Sequence, residues 1–226
     1  MTRTVLVVAA SILAMAASGA AHAAGAPKWG GFWVGGSVGA NGVSATETDT
    51  VTPPGTVTTF SGGPGWGAAG SVTWGYDFKV APGLFLGTYS ALDITNAEVT
   101  LTDPSGPINK LQENWAYNSG ARLAALMNAQ TLVYVDGGYS RAGFTFKYDT
   151  ATPGYTNGHV FDGWFAGVGG QEKLTDALSV SLDYRFARYG SQQVGTCVEL
   201  CPVETHEIQP DVQSVRVGLV VNLGGQ

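Results

Sequence analysis

Residues 65–78, GWGAAGSVTWGYDF, separate into two faces when every second position is taken. Trp66, Ala68, Gly70, Val72, Trp74, Tyr76 and Phe78 fall on one face, which is apolar and turns aromatic towards both ends. Gly67, Ala69, Ser71, Thr73, Gly75 and Asp77 fall on the other, which is small and polar. A period of two is the signature of a β-strand. In a water-soluble sheet the aromatic face would be the core. In a membrane barrel it would face lipid, with rings at the two interfaces.

Seven more stretches alternate in the same way. Residues 31–43 set Phe32, Val34 and Val38 against Trp33, Ser37 and Asn41. Residues 84–95 set Leu84, Leu86, Leu92 and Ile94 against Gly87, Tyr89, Ala91 and Asp93. Residues 115–126 set Trp115, Tyr117, Ala121 and Leu123 against Asn118, Gly120 and Arg122. Residues 131–143 set Val133, Val135 and Tyr139 against Tyr134, Asp136 and Ser140, and 144–146 extend them. Residues 163–174 form the sixth stretch, with Trp164 outward and Phe165 inward. Residues 178–190 set Val180, Leu182, Tyr184 and Phe186 against Ser179, Ser181, Asp183 and Arg185. Residues 211–223 set Val215, Val217, Leu219, Val221 and Leu223 against Ser214, Arg216, Gly218 and Asn222.

The connections alternate in length. Residues 44–62, 96–114, 147–162 and 191–210 read as long loops, whereas 79–83, 127–130 and 175–177 are tight turns. A soluble sandwich has no reason to sort its loops by end, but an outer-membrane barrel does. The pattern predicts an all-β fold, an eight-stranded antiparallel up-and-down transmembrane β-barrel with four long extracellular loops and short periplasmic turns. The aromatic residues expected at the membrane interfaces are Trp66, Trp74, Tyr76, Phe78, Trp115, Trp164 and Tyr184.

The charges within the strands all lie opposite the apolar face. Counted from the short turns or the chain end, Arg122, Asp136, Asp183, Arg185 and Arg216 fall at similar depths, with Gln171 in the same layer. Such a layer predicts a salt-bridge network in the lumen of a narrow barrel, where eight strands leave room for little more than side chains.

Composition agrees with this picture. Only 12% of residues are charged, 33 are glycine, and the six Trp, nine Tyr and nine Phe are spread along the chain. The formal charge of −6, with no basic run, argues against nucleic-acid binding. Arg3, the apolar run of residues 4–17 and Ala21-His22-Ala23 form an expected secretory signal peptide, residues 1–23, leaving a barrel domain over 24–226. No later stretch approaches the roughly 20 apolar residues of a membrane helix.

Four segments in order carry a resemblance. They are Trp29-Gly30-Gly31-Phe32-Trp33-Val34-Gly35-Gly36, Leu132-Val133-Tyr134-Val135-Asp136-Gly137-Gly138-Tyr139, the run from Leu174 through Asp183 to Phe186, and Val215-Arg216-Val217-Gly218-Leu219. Together they resemble the small outer-membrane β-barrels related to opacity proteins and to the OmpA transmembrane domain. The resemblance implies a Gram-negative outer membrane, contact with lipid and lipopolysaccharide, and handling by the barrel-assembly machinery. It implies a structural or surface role, in some members small-solute permeation, and no enzyme and no cofactor. Members commonly end on an aromatic residue, whereas this chain ends Leu223-Gly224-Gly225-Gln226.

The residues leave other readings open: a narrow porin, a loop-mediated adhesin that meets an extracellular ligand, or a soluble lipocalin-like barrel with its aromatic face inward. Cys197 and Cys201 sit four apart in the fourth loop, and export favours a disulfide between them over a metal pair with His206. Ser191 or Ser214 with His206 and Glu207 could be drawn as a hydrolytic triad, but the spacing gives no support, and solvated loop histidines are the expectation. The acidic loop residues, among them Glu47, Asp49, Glu98, Glu113 and Asp162, are expected to be solvated surface rather than a cation site.

Overall fold

A computed structural model describes residues 29–52, 55–102, 108–149, 155–197 and 203–224. Ten strand segments occur among them: β1 (Gly31–Thr52), β2 (Thr56–Ala81), β3 (Leu84–Thr95), β4 (Glu98–Thr102), β5 (Ile108–Leu126), β6 (Thr131–Asp149), β7 (Tyr155–Lys173), β8 (Leu178–Tyr189), β9 (Gln192–Cys197) and β10 (Val203–Asn222). All pairings are antiparallel, in the order β1-β2-β3-β5-β6-β7-β8-β10, and β10 pairs back onto β1. β4 prolongs β3 beyond a break at Asn96-Ala97, and β9 prolongs β8 beyond Gly190-Ser191. The ring therefore has eight strands. The candidate signal peptide, residues 1–23, lies outside the described residues.

The register fixes the shape. Directly opposed positions lead from Asp77 through Gly87, Arg122, Asp136, Gly167, Arg185, Ser214 and Asn41 back to β2 at Gly67, ten positions along the strand from the start. A ten-residue stagger over eight strands, at ~3.4 Å per residue and ~4.8 Å between strands, tilts the strands by about 40°. Each residue then contributes about 2.6 Å of height.

Period-two alternation decides which side chains face out. Phe32, Val38, Trp66, Val72, Phe78, Leu92, Val135, Trp164, Val217 and Leu219 are exposed on the outer wall. Asp77, Asp93, Asn118, Arg122, Ser181 and Arg216 are buried inside. The lipocalin-like alternative required the aromatic face of β2 to point inward, and the exposure of Trp66, Val72 and Phe78 overturns it.

The structure corrects the loop assignments. The segments read as long loops are mostly paired strand. β1 continues to Thr52 opposite β2, β6 and β7 pair to Tyr148 and Tyr155, and β4 and β9 occupy the other two connections. Thr- and Gly-rich sequence masked their alternation, because the outward positions there are polar and meet water instead of lipid. A 19-residue strand such as β6 climbs about 49 Å at this tilt, roughly twice the ~25 Å apolar band of a membrane barrel. The hairpins thus stand well above the membrane. The short turns close locally: Gly83 takes a positive φ of 74°, and Asn128 Oδ1 accepts hydrogen bonds from the Gln130 and Thr131 amides.

Candidate functional site

The lumen is built in layers. At the periplasmic end Trp29 folds under the barrel with Phe85, Ala124 and Leu132. Its Nε1 donates to the Ala129 carbonyl at 3.0 Å, and Lys173 Nζ stands 4.7 Å over its ring. At the extracellular end Leu101, Leu111, Phe144, Phe161, Tyr189 and Ile208 pack together. Phe144 meets Phe161 and Tyr189 edge-on, with centroids 5.4 and 5.5 Å away. Leu101, Leu111, Phe161 and Ile208 come from segments read as loops, where apolar residues carried no recognisable signal, whereas Phe144 and Tyr189 lie at the ends of stretches read as strands.

The polar layer lies between. Arg122 Nε donates to Asp77 Oδ1 at 2.8 Å, its Nη2 pairs with Asp77 Oδ2, and its guanidinium lies 4.1 Å over the Trp33 ring. Arg216 Nη1 donates to Asp93 Oδ1 at 2.6 Å. Arg185 stands 3.7 Å from Asp93 and 4.0 Å from Asp136, and its Nη2 donates to the Tyr89 hydroxyl at 3.1 Å. Tyr89 in turn donates to Asp136 at 2.6 Å, and Tyr134 donates to Asp183. Asn118 and Ser71 both donate to Asp93.

Arg122, Asp136, Asp183, Arg185 and Arg216 all face this layer, and Gln171 is buried beside it. The sequence reading left out Asp77 and Asp93, which are the main partners of Arg122 and Arg216. Counting depth from the turns hid them, because a row of paired positions climbs ten residues per circuit. Asp77 near the bottom of β2 and Arg122 further up β5 therefore share one row.

Inward glycines make the pairings sterically feasible. Gly87 lies between Asp77 and Arg122, Gly167 between Asp136 and Arg185, and Gly169 between Tyr134 and Asp183. A Cβ at these positions would collide with the Asp77 carboxylate, the Asp136 carboxylate and the Tyr134 ring respectively. Each pair reaches over the bare backbone of the strand that separates it. A cavity of about 40 Å³ remains in the layer, lined by Trp33, Tyr89, Arg122, Asp136, Arg185 and Arg216 among others.

Two rungs cross from β1 to β5 above this layer. Asn41 Nδ2 donates to Glu113 Oε2 at 2.9 Å, and Asn109 Nδ2 donates to Glu47 Oε1 at 3.1 Å. Glu47, Asp49 and Glu113 are buried, not solvated as expected. His206 is buried as well, because β10 continues to Val203 and turns its ring inward; its Nδ1 lies 2.7 Å from Asp49 Oδ1 and 3.3 Å from Glu47 Oε1. These hydrogen bonds, to Asp49 foremost and then Glu47, push the imidazole up to about 10. Glu98 pairs with Lys110 and Lys147 on the hairpins.

The hydrolytic triad is not assembled. Glu207 alternates with His206 and faces outward, which separates the acid from the imidazole for Ser191 and Ser214 alike, and Ser214 stands eight residues along β10, about 27 Å away. Cys201 and the Cys197 side chain lie outside the described residues.

On the outer wall Trp66, Trp115 and Trp164 sit towards the extracellular side and Tyr76 and Phe78 towards the periplasmic side, whereas Trp74 and Tyr184 stand in the middle of the apolar face. Tyr184 directs its hydroxyl to Gln213, 3.3 Å away.

No curated protein matches the chain by sequence. Among solved structures it is similar to the outer-membrane protease OmpT of Escherichia coli, with 8% identity and a TM-score of 0.55 over 85% of this chain and 97% of that one. It is also similar to the outer-membrane protein OprG of Pseudomonas aeruginosa, with 13% identity and a TM-score of 0.50 over 86% and 97%. Neisserial surface protein A aligns over 85% and 97%, with 11% identity and a TM-score of 0.43. At these identities the likeness concerns the fold alone. The family model described as the outer membrane protein beta-barrel domain matches residues 9–222, and the chain belongs to that family of outer-membrane β-barrels.

Proposed function

We propose that this chain is a structural, surface-displayed protein of the Gram-negative outer membrane whose lumen does not conduct solutes. The observation that carries this reading is the stacking of three filled layers in series: the Trp29 cluster, the Arg–Asp layer and the Phe144–Phe161 core. The cavity of about 40 Å³ in the middle layer has room for about three water molecules. The non-enzymatic part of the reading draws on the separation of His206 from Glu207 and Ser214. Its partners on this reading are membrane lipid and lipopolysaccharide around the apolar wall, and the barrel-assembly machinery during insertion. Arg3, the apolar run after it and Ala21-His22-Ala23 support export with removal of residues 1–23.

The test is solute flux into liposomes carrying the folded chain, with folding followed by the mobility shift between unheated and heated samples. Vesicles as tight as protein-free controls are expected. Leakage of ions or small sugars through the wild-type chain would favour the narrow porin instead. Loop-mediated attachment draws support from the height of the hairpins. Binding to an extracellular surface that disappears when residues 44–62 are shortened would test it.

A further inference from the structure

We propose that Glu47, Asp49, His206 and Asn109 form a binding site for one divalent transition-metal ion of the zinc type inside the extracellular mouth of the barrel. Each of the first three offers one ligand atom, and these atoms all lie within 4.8 Å of one another, on buried side chains. The separation of His206 Nδ1 from Glu47, 3.3 Å, matches the ~3.3 Å edge of a tetrahedron with ~2.0 Å metal–ligand bonds, and its 2.7 Å separation from Asp49 is a hydrogen-bond distance that would open to that edge around an ion. One imidazole nitrogen with carboxylate oxygens is a donor set that zinc accepts.

Asn109 is an independent observation. It is 98% buried, and its Nδ2 donates to both oxygens of Glu47, at 3.1 and 3.3 Å. Its Oδ1 has no hydrogen-bond partner among the described residues. A half-turn of the amide exchanges oxygen for nitrogen at almost no change of shape. The amide then presents its unused oxygen beside Glu47, as a fourth ligand.

Charge points the same way. Glu47 and Asp49 bring two carboxylates into the mouth, and among the described residues no lysine or arginine lies within 4.0 Å of either. Protonated His206 offsets one of the two charges; a divalent ion that takes the place of its Nδ1 proton balances both, with the neutral imidazole as a nitrogen ligand. β1 and β10 supply three ligands from directly paired strands, with Asp49 opposite His206, and β5 supplies the fourth from across the mouth. A bound ion would tie the two walls of the mouth together.

The experiment is calorimetric titration of the full chain in detergent micelles with Zn²⁺ alone, in a Cys197→Ser, Cys201→Ser background that removes thiol ligands. One equivalent of Zn²⁺ is expected to bind. Asp49→Asn and His206→Ala should weaken it at least tenfold, and Glu207→Gln, which faces outward, should leave it unchanged. Each variant is first checked for the folded-barrel mobility shift, and Glu47→Gln or Asn109→Ala replaces any that fails. The proposal is overturned if Zn²⁺ binding is not saturable, if it vanishes with the cysteines, or if folded mouth variants bind as tightly as their parent.

Discussion

Arg122 and Asp77 form a buried ion pair across a strand that neither belongs to, with Gly87 of β3 lying between them in the same row. The bridge depends on the absence of a side chain at Gly87 as much as on the charges. It is also roofed by the Trp33 ring.

Breaking the pair from one side is expected to be costly. Asp77→Ala leaves a guanidinium in the lumen without its main partner, and such a loss typically costs about 3–5 kcal/mol. The urea midpoint of the barrel in micelles should fall accordingly. The double variant Asp77→Leu, Arg122→Met should recover much of the loss, since it leaves no buried charge behind.

Gly87→Ala should destabilise while leaving every charge in place. The added methyl meets the Asp77 carboxylate and the Arg122 stem, and overpacking of this kind costs about 1–3 kcal/mol. Gly158→Ala is the control, because a Cβ there meets nothing within 4 Å. Equal unfolding midpoints for the two variants would remove the steric role given to Gly87.

Layers in series make a distinctive prediction for flux. Arg122→Ala alone should leave liposomes tight, because the Trp29 cluster below and the Phe144–Phe161 core above still stand. Combining Trp29→Ala, Arg185→Ala and Phe144→Ala should raise ion flux well above any of the three single changes. A leak from Arg122→Ala alone would mean that the outer layers do not seal.

The mouth should register in the pH dependence of stability. His206 is raised from 6.5 to about 10, chiefly by hydrogen bonds to Asp49 and Glu47. A group raised in the folded state contributes stability fully below its unfolded value and loses it as pH climbs through its folded value. Metal-free wild-type barrel should therefore lose stability between about pH 6.5 and pH 10 relative to His206→Gln. Unfolding midpoints that run parallel for the two chains across that range would contradict the assignment.

The membrane-spanning part of this fold was legible residue by residue. Alternation is a local property, and a two-residue period needs nothing beyond the strand itself. Trp66 to Phe78 on β2 and Val215 to Val221 on β10 therefore announced both strand and orientation, and Arg122 and Arg216 announced a polar lumen. Where the outer wall leaves lipid, the contrast between faces fades. Residues such as Thr46, Thr48 and Thr50 face water on a strand that continues beyond the membrane, and the sequence pattern there resembles a loop.

The partners inside the barrel were decided by closure. Asp93 meets Arg216 from 123 positions away, and His206 meets Asp49 from 157. Which inward residues share a row depends on the ten-residue stagger accumulated around eight strands, a property of the closed ring and of no single strand. The sequence by itself determined that this chain makes strands with an apolar outside and a polar inside. Only the tertiary structure decided that Asp77 and Asp93 complete the polar layer, that Phe144, Phe161 and Tyr189 meet to fill the top, and that Glu47, Asp49, Asn109 and His206 converge at the mouth.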